Sequence, residues 1–452
     1  MKTNRLFLLF LLSIFPVLGI HAQDIADDDE TCDSTEQITD SLGMIAVPPM
    51  TWEESLRFRL DSMINRYRTT TVTTKQRISR RSRRYKTVTK SITRPDRIGV
   101  AVFDLTADSL LYTHNAEDRY IPASNQKVFV AVTALDNLGT GYHFKTDVLV
   151  GGEIKKDTLN HDYLDGNIYI HGRFDPTLDN DAAQYIARRV EALGIDSITG
   201  GVYCYEPLKN RTESGTWFWN RHVSRTFAQR VLDNLSTDSI HLASNKLYGT
   251  VEYLDSIPMH TLMSIATPME AVLYRMMKRS DNAYAESMLL SLTDQDSIST
   301  WSYEACRDKV RQMISRAQSA GSNKSNGSDG LNNLSGFFIE GGSGLSHNNR
   351  TTPLMLCEVL RYAFHKQNIY RPLMQSLPIA GIDGTIRNRM KGTEAYDNVR
   401  AKTGTVNGVS TLSGYCTAAN GHRLCFSILM NTISGQSTAK SLQNILCTEM
   451  CR

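Results

Sequence analysis

"YIPASNQKVFVAVTAL", residues 120–135, sets a hydroxyl and an amine three residues apart at the head of an apolar stripe. Pro122 and Ala123 open a helix, and Val128, Ala131, Val132, Leu135 and Leu138 recur at helical spacing until Gly139 ends it. A helix this apolar is buried, so the polar residues of its first turn, Ser124 and Lys127, stand out. At i and i+3 they share one face and can reach each other. A serine hydroxyl attacks a carbonyl only if something removes its proton. A lysine can be that base once burial or a neighbouring positive charge depresses its pKa.

Working outward, "RIGVAVFDL" (97–105) and "SLLYTHN" (109–115) read as two short strands around a turn just before this helix. After it, residues 141–257 look like a separate strand-rich module, with "FKTDVLVGG", "GNIYIHG", a helix at "AAQYIARRVEALG" and a strand near "SITGGVYCY". Helical periodicity returns on both sides of Ser280-Asp281-Asn282 in "TPMEAVLYRMMKRSDNAYAESMLLSL", and the polar stretch 321–336 reads as a loop or linker. "NVRAKTGTV", "VSTLSGYCTA" and "HRLCFSILMN" then give three consecutive strands, closed by a helix from about Ser437. No internal repeat interrupts this order. It implies an α+β fold, a mainly antiparallel sheet covered by helices with an inserted accessory module.

The ends and the charge distribution add a second layer. Lys2 and Arg5, an apolar run from Leu6 to Leu18 and small residues around Ala22 have the layout of a secretory signal peptide cleaved near Ala22, which predicts an exported, periplasmic protein. The mature chain begins with an acidic stretch, Asp24 to Glu36, and continues into a basic one from Lys75 to Arg97 with Asp96 as its only acid. That run reads as a solvated helix or flexible arm, or as a peripheral contact with membrane or cell-wall polymer. The net charge of +3 over 452 residues gives no global reason to expect nucleic acid. The domains expected are therefore the signal at 1–22, the acidic and basic segment at 23–93, a catalytic domain from 94–140 and 258–452, and the insert at 141–257.

Export makes disulfides possible for the eight cysteines. If Asn420-Gly421 is a two-residue hairpin turn, Cys416 lies opposite Cys425, either as a bridge or as two small buried hydrophobes. No cysteine pair has zinc-ligand spacing and the histidines form no HExxH-like cluster, so no metal and no cofactor is expected.

The Ser-Lys spacing is weak by itself, since Ser437 and Lys440 repeat it, and Ser346 with Asn348 repeats the spacing of Ser280 with Asn282. Three boxes in order are more specific. "PASNQK", "KRSDNAYAE" and "AKTGTVNGVSTLSGY" resemble the S-x-x-K, S-x-N and K-T-G boxes of penicillin-binding proteins and serine β-lactamases. With "GSGLSHNNRTTP" (342–353) and "DPTL" (175–178), the chain from about residue 95 onward resembles the D-alanyl-D-alanine carboxypeptidase/endopeptidase family, the class C low-molecular-mass penicillin-binding proteins or peptidase family S13.

The resemblance implies a penicillin-binding-protein/serine β-lactamase-like fold and a serine hydrolase acting on the D-Ala-D-Ala peptide of peptidoglycan, with β-lactams as inhibitors. It implies Ser124 as nucleophile, Lys127 as its base, Ser280 as proton relay and Asn282 as the group orienting Lys127. Lys402 and Thr403 would hold the substrate carboxylate, and Gly404 would let the peptide lie close to the strand. The backbone N–H groups of Ser124 and Thr405 would form the oxyanion hole. A cationic Lys402 beside Lys127 would also lower the latter's pKa. The chain departs from the family at Gly341, where Asp is usual, and at His347, where Arg is common. Two alternatives follow. A serine β-lactamase shares the boxes, but no E-x-x-L-N loop lies between the second and third. A degenerate scaffold would keep the fold while losing the chemistry.

Overall fold

The three C-terminal strands form, and the sheet they build takes in the strand near residue 100. The computed structural model describes residues 50–452 apart from 80–82, 94–96, 173, 206–224, 238–239, 243–247, 252–257, 294–301, 321–333, 335 and 433–434. The expected signal peptide, the acidic stretch and most of the 321–336 linker lie outside the described residues.

Helix α1 (Trp52–Arg68) starts at a capping box between Thr51 and Glu54 and buries Leu56, Leu60 and Ile64, a stripe at four-residue spacing. An antiparallel hairpin follows, β1 (Thr69–Arg77) and β2 (Tyr85–Thr93), paired along its length. The sequence reading places a solvated helix or an arm in this basic run. A hairpin forms because the run is dense in threonine with interspersed valine and isoleucine, which favour extended backbone, and lacks a helical apolar stripe.

Strands β3 (Ile98–Asp104) and β4 (Ser109–His114) lead through a 3-10 turn, Ala123–Asn125, into α2 (Gln126–Asn137). The insert contains β5 (His143–Lys156), β6 (Asp162–His171), α3 (Asn180–Glu191), β7 (Ser197–Ile198), β8 (Val202–Tyr205), α4 (Arg225–Thr237), β9 (His241–Leu242), β10 (Tyr248–Val251) and β11 (Met259–Pro268). Then come α5 (Met269–Lys278), α6 (Asn282–Leu290), α7 (Tyr303–Ser319), α8 (Pro353–Phe364) and α9 (Gln367–Ser376). Strands β12 (Arg400–Val406), β13 (Val409–Thr417) and β14 (Arg423–Asn431) precede the terminal α10 (Gln436–Cys451).

The main sheet is antiparallel throughout, in the order β12-β13-β14-β3-β4. Its central strands β13 and β14 are buried along nearly their whole length, because both faces carry helices. On one face α1 and α10 pack over Val102, Leu412, Phe426 and Ile428; on the other, α2 and α8 cover Ala101, Tyr415, Cys425 and Leu429. This is the α+β arrangement the element order implies. The insert builds a second, seven-stranded sheet in which β11 pairs antiparallel with β5. That sheet therefore runs to residue 268, past the boundary at 257 read from sequence. The half-exposed β11 lacks a clean apolar alternation to announce itself.

The hairpin between β13 and β14 corrects another expectation. Ala418 N donates to His422 O at 2.9 Å and Gly421 N donates to Ala418 O at 2.9 Å, so the loop holds three residues, with Gly421 at φ 85°. The one-residue slip pairs Cys416 with Leu424 and Tyr415 with Cys425. Cys416 and Cys425 thus point to opposite faces, and neither bridges the other.

Candidate active site

The first two boxes meet the third where the head of α2 abuts β12. Two residues there have left-handed backbone, Ala123 at φ 47° and Ser280 at φ 58°. For residues with a Cβ this conformation costs about 1–2 kcal/mol and persists only where the surroundings hold it. At Ala123 the surroundings are visible. Thr411 donates its hydroxyl to Pro122 O at 2.9 Å, and the buried Asn125 donates to Ser413 Oγ at 2.9 Å, which in turn donates to Ser427 Oγ at 2.9 Å. The turn carrying Ser124 is therefore tied to the sheet on both sides.

Gly404 is part of the same contact. A Cβ there would stand 2.8 Å from Pro122 O and 2.9 Å from Ser124 N. The glycine expected to make room for a peptide also makes room for the turn of Ser124, so the strand carrying Lys402 lies against it. Thr405, the next residue, is exposed on β12.

Lys127 is wholly buried and makes three contacts through Nζ. These are Ser124 Oγ at 3.1 Å, Asn282 Oδ1 at 2.8 Å and the Ser343 carbonyl oxygen at 2.6 Å. Asn282 is the first residue of α6, whose N-cap Asp281 accepts from Ala283 N at 3.0 Å and also meets Arg275. Ser280 faces elsewhere. Its hydroxyl accepts from Lys402 Nζ at 2.8 Å, and Lys402 also donates to Thr403 O at 2.7 Å. Thr403 donates to Thr385 Oγ1 at 2.8 Å, in a loop secured where Lys278 donates to Asp383 at 2.5 Å and to Leu377 O at 2.6 Å. The structure thus groups the residues read from sequence into Ser124, Lys127 and Asn282 on one side, and Ser280, Lys402 and Thr403 on the other.

Burial pushes the Lys127 amine down to about 7, against the pull of Glu286 and Asp281 upward. Lys402 is also held well below the usual lysine range, first by burial and then by the charge of Lys127. The sequence reading gives Lys402 as what lowers Lys127. The larger cause is removal from water, and the repulsion between the two lysines falls on Lys402. Among the described residues no group of histidine, cysteine, aspartate and glutamate could hold a metal ion.

Sequence reasoning misses two participants. One is the Ser343 carbonyl, a backbone group with no residue signature. The other is the buried Glu286, whose two oxygens accept from Gly342 N at 3.0 Å and Ser343 N at 2.9 Å. Its signal is spacing, since it lies four residues after Asn282 on α6. Glu340, just before the departing Gly341, takes hydrogen bonds from Ser346 and Asn348 and so organises its own loop.

Comparison with known proteins agrees with this architecture. The chain is 24% identical over 447 residues to a D-alanyl-D-alanine carboxypeptidase of Actinomadura sp. (strain R39), covering 75% of this chain and 78% of that protein. It is 22% identical over 443 residues to the D-alanyl-D-alanine carboxypeptidase DacB of Haemophilus influenzae, covering 78% of this chain and 88% of that one. The crystal structure of penicillin binding protein 4 from Haemophilus influenzae superposes with a TM-score of 0.62 at 20% identity, over 78% of this chain and 97% of that one. The fold is therefore that of the penicillin-binding proteins. The profile of one family matches residues 86–230 and 255–448, spanning all three boxes and every strand of the main sheet, and the chain belongs to that family, the D-Ala-D-Ala carboxypeptidase 3 (S13) family.

Proposed function

We propose that this chain is a serine-type D-Ala-D-Ala carboxypeptidase whose nucleophile is Ser124, with endopeptidase cleavage of cross-linked stem peptides within reach of the same chemistry. The observation that carries the reading is the set of contacts at Lys127. A neutral amine has two N–H bonds and one lone pair. Asn282 Oδ1 and Ser343 O, both closer to Nζ than is Ser124 Oγ, occupy the two N–H bonds and leave the lone pair for the serine hydroxyl. A pKa of about 7 keeps much of that amine neutral at physiological pH.

In the reaction Ser124 Oγ bonds to the carbonyl carbon of the penultimate D-Ala while its proton passes to Lys127. The C–N bond to the terminal D-Ala then breaks and the leaving amine takes the proton from Lys127; Ser280, whose hydroxyl meets Lys402, relays it only after turning from Lys402 toward Lys127. Lys402 and Thr403 receive the terminal carboxylate. An anion there favours the charged form of Lys402, which burial and the charge of Lys127 disfavour. The N–H groups of Ser124 and Thr405 face the developing oxyanion. Water completes the cycle by hydrolysing the ester. A β-lactam presents the same carbonyl and carboxylate and acylates the same serine. The signal-peptide reading supports periplasmic action, and the basic run 75–97 supports an added peripheral contact with an anionic membrane or wall polymer.

Intact-protein mass after mixing with benzylpenicillin tests the reading, beside Ser124→Ala. The expected result is a persistent adduct of penicillin mass in the natural chain and none in the variant, followed by release of D-Ala from pentapeptide. An unmodified protein with hydrolysed drug identifies a β-lactamase instead. An unmodified protein with intact drug identifies a scaffold.

A further inference from the structure

One acceptor that orients Lys127 stands on α6, and the other, the Ser343 carbonyl, is tied to the same helix through Glu286. Asn282 reaches Nζ directly from the first turn of α6. Glu286, one turn on, shares that face. Its side chain grips the peptide groups of Gly342 and Ser343 at 3.0 and 2.9 Å, and Ser343 presents its carbonyl to Nζ at 2.6 Å. Glu286 is only 1% exposed, and its two oxygens are taken by backbone N–H groups rather than by a cationic side chain. Burying a carboxylate is expensive, and a fold gains little by doing so only to hold a loop that apolar packing could hold.

We propose that Glu286 is the positioning residue of the acylation step, fixing the Ser343 carbonyl that orients the Lys127 lone pair and supplying the negative charge that sets the pH range in which Lys127 works. This rests on the reading of Lys127 as the base. The charged groups facing Lys127 are Glu286 and Asp281, which favour its protonated form, and Lys402 from β12, with which it shares mutual repulsion. Removing the Glu286 charge leaves burial less opposed and moves the titration of Lys127 to lower pH. Shortening the side chain while keeping its charge disturbs the clamp alone.

The two contributions separate in the pH dependence of benzylpenicillin acylation, measured on the full chain with Glu286→Gln and Glu286→Asp. E286Q retains the volume but turns one oxygen into an N–H donor facing another donor. Its plateau rate is expected to fall by about 10- to 100-fold, with the acid limb moved to lower pH. E286D is expected to lose plateau rate with the limb at its natural position. A natural rate in both variants, or a limb in E286Q that does not move, overturns the proposal; the second result would leave Glu286 as a loop anchor only. If E286Q lacks a cooperative unfolding transition, E286D decides, and a natural plateau there overturns the clamp. Absence of any adduct in the natural chain overturns the reading of Lys127 itself, a failure distinct from the others.

Discussion

Two buried lysines within one site cannot both carry full charge cheaply, and this sets the pH behaviour of the enzyme. Lys127 titrates near 7 because burial outweighs Glu286 and Asp281. Its neutral form is the competent one, so acylation by benzylpenicillin is expected to fall about tenfold per pH unit below that value and to level off above it. A stopped-flow pH profile checks this, and a rate that stays flat from about pH 5 to 8 would remove Lys127 from the base role. The pairing of Ser124 with Lys127 is suggested in sequence by i, i+3 spacing at the head of a buried helix, and that of Asn282 with Lys127 only by the resemblance of three boxes in order. The partner of Ser280 is not legible, since its backbone conformation and the approach of β12 decide whether it meets Lys127 or Lys402. Thr385 as the partner of Thr403 is hidden for the same reason, being set by a loop that Lys278 and Asp383 fix from a distance.

Individual elements show where sequence patterns suffice. The strands of the main sheet are evident because β14 is largely apolar and both β13 and β14 are short runs bounded by glycine and asparagine turns. Their register is not, because "ANGH" fits a two-residue turn as well as the three-residue loop that forms, and one residue moves every side chain to the other face. The stripe of α1 is visible in retrospect at Leu56, Leu60 and Ile64, but the basic run just after it dominates the composition there. The hairpin of β1 and β2 places exposed Ile78 and Tyr85 near its tip, with Arg83 and Arg84 exposed beside them. Cations around exposed apolar side chains suit a lipid headgroup layer. Sedimentation with vesicles containing phosphatidylglycerol is expected to recover the chain, and Arg→Gln changes at Arg80, Arg81, Arg83 and Arg84 to weaken recovery by roughly 10-fold or more. Equal recovery with neutral vesicles would leave no electrostatic contact.

For the molecule as a whole, the joint between insert and catalytic domain passes through "DPTL". Asp175 is buried and accepts from Thr177 N at 2.9 Å, Thr177 Oγ1 at 2.6 Å and Thr146 Oγ1 at 3.1 Å, while the neighbouring Phe174 carbonyl accepts from Ser287 on α6. Asp175→Ala orphans those donors and is expected to cost about 1–3 kcal/mol in denaturant unfolding, with the penicillin adduct still formed. An unchanged midpoint would show that the motif does not hold the joint. That strands follow α2 is legible from sequence, but the contact of this region with α6 is not, because it rests on a carbonyl and a loop conformation. The order of strands in the main sheet has one more result. β3, near residue 100, pairs with β14, near residue 430, so the sheet closes only after about 330 intervening residues have emerged. Such distant pairing is slow to find, whereas β5 and β6, joined by a short connection, can zip first. A nascent chain that has not yet reached β14 can therefore pair β5 with β6 while the sheet beside Ser124 stays open.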